Sequence, residues 1–448
     1  MTAQARLAEL IERHHVPGAV LGVLLDGATS VTAAGVLNVE TGVRATPDSL
    51  FQIGSITKVY TATLALQLAD EGTLDIDVPI AAVLPELRLA EPHATARVTM
   101  RHLLTHTSGI EGDHFVDVGR GDDVLERYVR TCTELGFSHP VSATFSYCNT
   151  GYVIAGRAIE VLTGMTWDAA LRARLLDPLG LQATVTLPEE VLRFRAAYGH
   201  TVEPEQPVRL APAPLLPRSC GPAGLIWATA TDALAFARAH MDGTEVLSDA
   251  SRAMMLAPQV ALPDPWTLGS HWGIGWILYD WDGRRVYGHD GATLGQAAFL
   301  RVVPEAGVAI VLLTNGGNAH DLYEELFRAL LDELCDLAMP PALAPEPEPP
   351  LLPVGEFAGL YERVGVRIEL ADRGGRLAAR LTATGPLAEL EDDPVEEVEL
   401  VPVMPNVFVT RSDGEQTWTP AVFYSLDDGS RYLHMGGRAT PRITERSR

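Results

Sequence analysis

Six of the twelve residues from Met339 to Pro350 are proline, and this run limits the fold more than any other feature. Proline fixes φ and has no amide hydrogen, so such a run continues neither a helix nor a central strand. It makes a stiff, extended spacer. The chain is therefore divided, and each side must bury a core of its own. The sequence predicts a large unit over 1–338, a linker over 339–353 and a small unit over 354–448. A length of 448 residues accommodates that division.

The two units differ in pattern. The first opens on a helical stretch over 3–15. Two apolar runs follow, Gly18 to Leu25 and Ser30 to Val36, joined by Asp26-Gly27, a hairpin signal. Ser55 to Ala69 has helical periodicity, as do Asp122–Leu135 and Tyr152–Leu162. Strand-like runs return at Trp272–Tyr279, Ala297–Val303 and Val308–Leu313, and a helix from His320 to Leu337 closes the unit. Strands, a helical insert, strands and a helix suit an α+β fold: an antiparallel sheet flanked by helices, with a separate all-helical lobe. After the linker come short alternating runs: Val366–Leu370, Leu377–Leu381, Val395–Val401, Val407–Thr410, Thr417–Tyr424 and Arg431–Met435. They predict a small antiparallel β-barrel. Glu391-Asp392-Asp393-Pro394 reads as a solvated turn.

With 47% hydrophobic and 21% charged residues, there is material for real cores. A net charge of −24 repels phosphate backbones and anionic lipid headgroups, so neither nucleic acid nor a membrane surface is an expected partner. No apolar run reaches the ~18 residues of a membrane span. The first ten residues read as an amphipathic helix rather than an export signal, so a cytoplasmic location is expected. Cys132, Cys148, Cys220 and Cys335 lack metal-ligand spacing and are expected as free thiols.

Of the 34 basic residues, one is lysine, Lys58. A GC-rich coding bias accounts for the scarcity of lysine but not for the place of the last one. Lysine can give up its proton when desolvated, and arginine cannot. Lys58 closes Gly54-Ser55-Ile56-Thr57-Lys58, at the start of a predicted helix. Ser55 and Lys58, three apart, share a helix face. A serine hydroxyl needs an adjacent base to act as a nucleophile, and a neutral lysine one turn away can be that base. An N-cap serine followed by a surface lysine would look the same.

Two further stretches carry suitable groups. In Phe145-Ser146-Tyr147-Cys148-Asn149, the Tyr147 phenol can relay a proton and the Asn149 amide can hold a substrate carbonyl. Gly288-His289-Asp290-Gly291-Ala292 lies between two predicted strands, where glycine permits close approach of a substrate. The backbone N–H groups of Ser55 and Ala292 could together form an oxyanion hole. Tyr147 alone could equally be a satisfied core tyrosine, and His289 a solvated turn residue.

In their order and separation these stretches resemble the signature of the serine β-lactamase and penicillin-binding-protein superfamily: Ser-x-x-Lys, Tyr-x-Asn, then a strand triplet. His102-Leu103-Leu104-Thr105-His106-Thr107-Ser108-Gly109 and the Gly72-Thr73-Leu74-Asp75 region resemble its class C-like branch. The resemblance covers residues 1–338 and implies a β-lactamase/transpeptidase-like fold. It implies Ser55 as nucleophile, Lys58 as base or proton shuttle, Tyr147 as its partner and Asn149 as orienter of the acyl amide. His289, Asp290, Gly291 and Ala292 would line the strand edge.

The triplet departs from the β-lactamase pattern. Those enzymes place a substrate-carboxylate-binding lysine where His289 stands, and this chain has no second lysine. His-x-Gly is similar to the triplet of the family's esterases, D-aminopeptidases and peptide-cyclising thioesterases, which also often carry a C-terminal lipocalin-like barrel. The expectation is therefore a serine-dependent acyl-transfer enzyme. Its acyl donor is an ester, thioester or amide; the family's taste for D-configured residues implies a peptidic donor, with its stereochemistry left open, and water or an amine resolves the acyl-enzyme. A natural-product peptide cyclase, thioesterase or transacylase leads. An esterase or D-amino-acid-specific peptidase, a β-lactamase and a non-catalytic peptide or lactam sensor stay open. The expected partners are a small-molecule or peptide donor and an amine acceptor, either of which could be carrier-bound. The sequence leaves the oligomeric state open. No cofactor is expected, and no metal: His102 and His106 are four apart but lack the intervening glutamate of a zinc-protease helix.

Overall fold

A computed structural model describes residues 2–201, 206–385, 388, 394–412 and 416–443. Glu391 to Asp393, most of the expected acidic turn, lie outside the described residues.

The first unit is built on an eight-stranded sheet. In spatial order its strands are Ala28–Gly35, Gly18–Leu25, Val308–Thr314, Gln296–Val303, Arg284–Thr293, Ile277–Trp281, His271–Trp272 and Val260–Ala261. All neighbouring pairs are antiparallel. The central strand Val308–Thr314 shows why: all seven residues are buried, and strand side chains alternate between faces. Val308, Ile310 and Leu312 enter one core, with Leu7, Leu10 and Ile11 of the helix Ala3–Arg13 and Leu322, Leu326 and Phe327 of the helix Ala319–Cys335. Ala309, Val311 and Leu313 enter the opposite core, with the helices Thr57–Asp70 and Ala230–Asp242 and the helical lobe. A sheet whose central strands are buried between two helical layers is the expected α+β architecture.

Two expectations change in detail. The run Trp272–Tyr279 is two strands, because Gly273–Trp276 makes a turn with Gly275 at φ +80°. His289 to Ala292 lie within the strand Arg284–Thr293 rather than in a connection between strands. The strand Ile277–Trp281 pairs only as far as Gly288. From His289 onward that edge of the strand has no strand partner among the described residues, and it faces the turn carrying Ser55.

The second unit is an eight-stranded antiparallel sheet in consecutive order, from Gly359–Arg363 to Arg438–Pro441. It nearly closes into a barrel, through a bridge between Tyr361 and Arg442 and a bond from Ile443 N–H to Leu360 O, 2.8 Å. Phe357, Tyr361, Phe408, Phe423 and Leu433 fill it. Residues between Asp336 and Pro353 form no helix or strand, but the start of the linker is pinned. Leu337 and Met339 are buried in the sheet's helix-covered core, and Arg328 bonds the carbonyls of Met339 and Pro340. The barrel docks on the first unit, and this contact shapes the site.

Candidate active site

Gly54 to Ile56 form a single 3₁₀ turn that runs into the helix Thr57–Asp70. Gly54 has φ +51°, and a Cβ there would lie 2.6 Å from the Ala292 nitrogen. At Gly291 a Cβ would meet the Ile53 carbonyl oxygen at 2.0 Å. Two glycines thus let the serine turn and the free strand edge touch backbone to backbone, which sets the N–H groups of Ser55 and Ala292 beside one another.

Lys58 is fully buried. Its Nζ lies 2.6 Å from Ala223 O, 2.8 Å from Asn149 Oδ1 and 3.1 Å from Ser55 Oγ. The first two oxygens can only accept, so they take two N–H bonds. An uncharged amine has two N–H bonds and one lone pair, which leaves the lone pair for the Ser55 hydroxyl to donate into. The charge state fits. Burial, and next the positive field of Arg438, pull Lys58 down from 10.5 to about 7. The ring of Tyr147 lies 4.8 Å from Nζ.

Tyr147 sits on a loop gripped by His106. The His106 carbonyl accepts from Ser146 N–H at 3.0 Å, and its Nδ1 accepts from Cys148 N–H at 2.9 Å. The two rings stack at 4.2 Å. Cys148 then caps the helix Asn149–Thr163, its sulfur accepting from Gly151 N–H. Burial pushes the Tyr147 phenol up, and its approach to Ser55 pulls the other way. That approach falls short of full hydrogen-bond geometry, so the phenol oxygen is buried without a partner among the described residues. His102 bonds within its own turn and to Ser142, away from the His106 contacts. Among the described residues no cluster of three or more His, Cys, Asp or Glu could hold a metal.

The remaining expected residues divide. Asn149 holds Lys58 on one side and Asp113 on the other, its Nδ2 donating to Asp113 Oδ1 at 3.0 Å. His289 is buried and near Tyr147, with ring centroids 6.4 Å apart. Its Nδ1 bonds Asp290 O at 2.6 Å, and burial, then Lys58, lower it to about 3, so it is a neutral imidazole. The Asp290 carboxylate is taken by Arg301, at 2.5 and 3.0 Å. The four cysteines are unpaired.

Two participants came without a local signal. Asp113 lies in a stretch with no periodicity, and Arg438 lies in the barrel. Arg438 donates to both Asp113 oxygens, at 3.0 and 3.2 Å, and Arg363 donates to one at 2.8 Å. Arg438 also stands 5.0 Å from the Tyr147 ring, and Tyr147 N–H donates to Gly437 O at 2.9 Å. The cleft over Ser55 opens into a cavity of about 1140 Å³. Both units and the linker line it, through residues such as Trp266, Tyr279, Pro340, Thr384, Trp418 and Arg438.

The beta-lactamase family profile matches residues 3–334. Penicillin-binding protein 4 of Amycolatopsis lactamdurans is 50% identical over 370 residues, 81% of this chain and 97% of that protein. The crystal structure of SurE with D-Leu superposes with a TM-score of 0.76 at 29% identity, covering 98% of each chain. The D-amino acid amidase of Ochrobactrum anthropi SV3 superposes with a TM-score of 0.64 at 26% identity, covering 74% of this chain and 97% of that one. The chain belongs to the serine β-lactamase and penicillin-binding-protein family of acyltransferases and hydrolases. Among the described residues no helix is long and apolar enough to cross a membrane.

Proposed function

We propose that this protein is a serine acyl-transfer enzyme that takes a peptidic ester, thioester or amide, D-configured at the acyl residue, and passes the acyl group to an amine. The observation that carries the reading is the placing of the buried Lys58 Nζ, 3.1 Å from Ser55 Oγ and within 2.8 Å of two oxygens, on Asn149 and Ala223, that can only accept.

The Ser55 proton moves to Lys58 as Oγ attacks the donor carbonyl. The oxyanion rests on the N–H groups of Ser55 and Ala292. The bond to the leaving group breaks, and the leaving group takes the proton from Lys58, relayed by Tyr147. An amine then attacks the acyl-enzyme by the reverse sequence. His289, neutral, offers a buried ring nitrogen rather than a cation to the substrate. That weighs against a β-lactamase-style carboxylate grip at this position. The cavity exceeds the about 300–1,000 Å³ of ordinary ligand pockets, a size suited to a peptide. The likeness to SurE, solved with D-Leu, spans both units, and this supports a D-configured donor. The likeness to a D-amino acid amidase supports hydrolysis of D-aminoacyl amides as the second reading.

A fluorophosphonate followed by intact-mass measurement tests the first step. Wild type gains one adduct and Ser55→Ala gains none; an unmodified wild type refutes the enzyme and favours a binding role. A panel of peptidyl thioester mimics, D-aminoacyl anilides, p-nitrophenyl esters and nitrocefin tests the second step. Cyclised or amine-coupled product from D-configured thioesters is expected. Fast nitrocefin turnover with no aminolysis would overturn the substrate assignment.

A further inference from the structure

We propose that the barrel supplies a positioning residue to the acyl-transfer centre: Arg438, acting through Asp113 and Asn149, sets the orientation and charge of the Lys58 amine. The inference rests on the reading of Ser55 and Lys58 as nucleophile and base.

The link is a chain of hydrogen bonds with fixed polarity. A carboxylate only accepts, so Asp113, held by Arg438 and Arg363, turns the NH₂ end of Asn149 toward itself. The other end of the amide must then offer Oδ1 to Lys58, at 2.8 Å. That contact takes up one amine N–H and aims the lone pair at Ser55. The same hairpin fixes the tyrosine loop: Gly437 O accepts from Tyr147 N–H, and Ala439 N–H donates to Ser146 Oγ at 3.1 Å. Arg438 therefore reaches Lys58 through Asp113 and Asn149, and it and its hairpin neighbours contact the tyrosine loop directly.

The electrostatics agree. Around Lys58 stand the thiols of Cys148 and Cys220, the phenols of Tyr147 and Tyr152, and the imidazoles of His106 and His289. Burial keeps all six neutral: the thiols rise to about 12, the phenols rise, and the imidazoles fall. The charges facing the amine are then Arg438 and Asp113. Burial alone would raise Asp113, but Arg438 and Arg363 hold it down to about 2. Beyond it, Glu111 is pushed up by burial and accepts from Val364 N–H. Arg438 thus acts twice, repelling a proton from Lys58 and cancelling the carboxylate that would attract one.

The test is the acid limb of the pH–rate profile for fluorophosphonate inactivation and for p-nitrophenyl acetate turnover, with the full-length chain. Arg438→Met is expected to move the limb up by about one pH unit or more. Asp113→Asn is expected to move it down, since it removes the opposing charge. Arg438→Lys keeps the charge and is expected to leave the limb near that of wild type while lowering the plateau several-fold. Opposite shifts in two variants cannot come from loosened structure. Equal limbs in wild type and Arg438→Met, or shifts of the same sign in Arg438→Met and Asp113→Asn, would overturn the inference. If wild type shows no Ser55 adduct at all, it is the acyl-transfer reading that fails. Should Arg438→Met not fold, the Asp113→Asn and Arg438→Lys profiles decide.

Discussion

Two buried cations, Lys58 and Arg301, sit on opposite sides of the strand Arg284–Thr293 and meet opposite fates. Lys58, at 0% exposure, has three neutral oxygens about its amine, those of Ser55, Asn149 and Ala223. Arg301, at 2%, is met by both oxygens of Asp290 and flanked by the rings of Tyr279 and Tyr323, 4.7 and 4.8 Å away. Burial works against the charge of both. For Arg301 the carboxylate outweighs burial and the charge stays. For Lys58 nothing outweighs it, and the amine can shed its proton near neutral pH. A paired buried cation is structure, whereas one left without a carboxylate is a base in waiting. The side chains are matched to these fates, since guanidinium cannot deprotonate and an amine can.

Swapping the cation type breaks the comparison most severely. Lys58→Arg keeps the charge but accepts no proton, and kcat/KM for an ester substrate is expected to fall by about 10³-fold; near-normal turnover would remove Lys58 as the base. Arg301→Met leaves the partly exposed Asp290 carboxylate without its partner and removes a buried side chain packed between two tyrosines. It is expected to lower unfolding free energy in denaturant by about 1–3 kcal/mol, whereas a catalytic role for Asp290 alone would spare stability.

A pH series sharpens the contrast. Below about 7 Lys58 carries its proton, so the acylation rate is expected to fall tenfold per pH unit there and to level off above. The unfolded chain still binds that proton up to the ordinary 10.5. Between about 7 and 10.5 the unfolded state therefore holds more protons, and this group makes stability rise with pH. Lys58→Met is expected to flatten that slope in denaturant titrations across the window. The smallest effect belongs to an exposed pair. Arg380 and Glu397, about half exposed on the barrel, lie 3.4 Å apart, and Arg380→Ala is expected to change stability by less than about 1 kcal/mol.

What was legible from sequence follows the range of the interactions. The helices before and after the central strands show in periodicity, and Ser55, Lys58 and Tyr147 show in short spacings, because one turn of helix or one loop carries each signal. The barrel strands Gly359–Arg363 and Arg438–Pro441 are short and carry arginine, glutamate, glycine and proline, so alternation missed them. His289 looked like a turn residue because glycines flank it, yet those glycines serve a strand pressed against another backbone. Asn149 read as a substrate holder, and its amide is engaged by Lys58 and Asp113. Asp113 and Arg438 are 325 positions apart and meet only because the barrel docks; no local pattern connects them. The same holds for Asp290, whose partner is reached only by folding the strand Gln296–Val303 alongside its own.

The single lysine makes the central claim directly measurable. Lysine labelled with ¹³C at Cε gives one signal for the whole chain, and its chemical shift follows the amine proton. The account predicts a titration near pH 7, moved upward in Arg438→Met. A signal that holds its charged position through pH 9 in folded protein would contradict it.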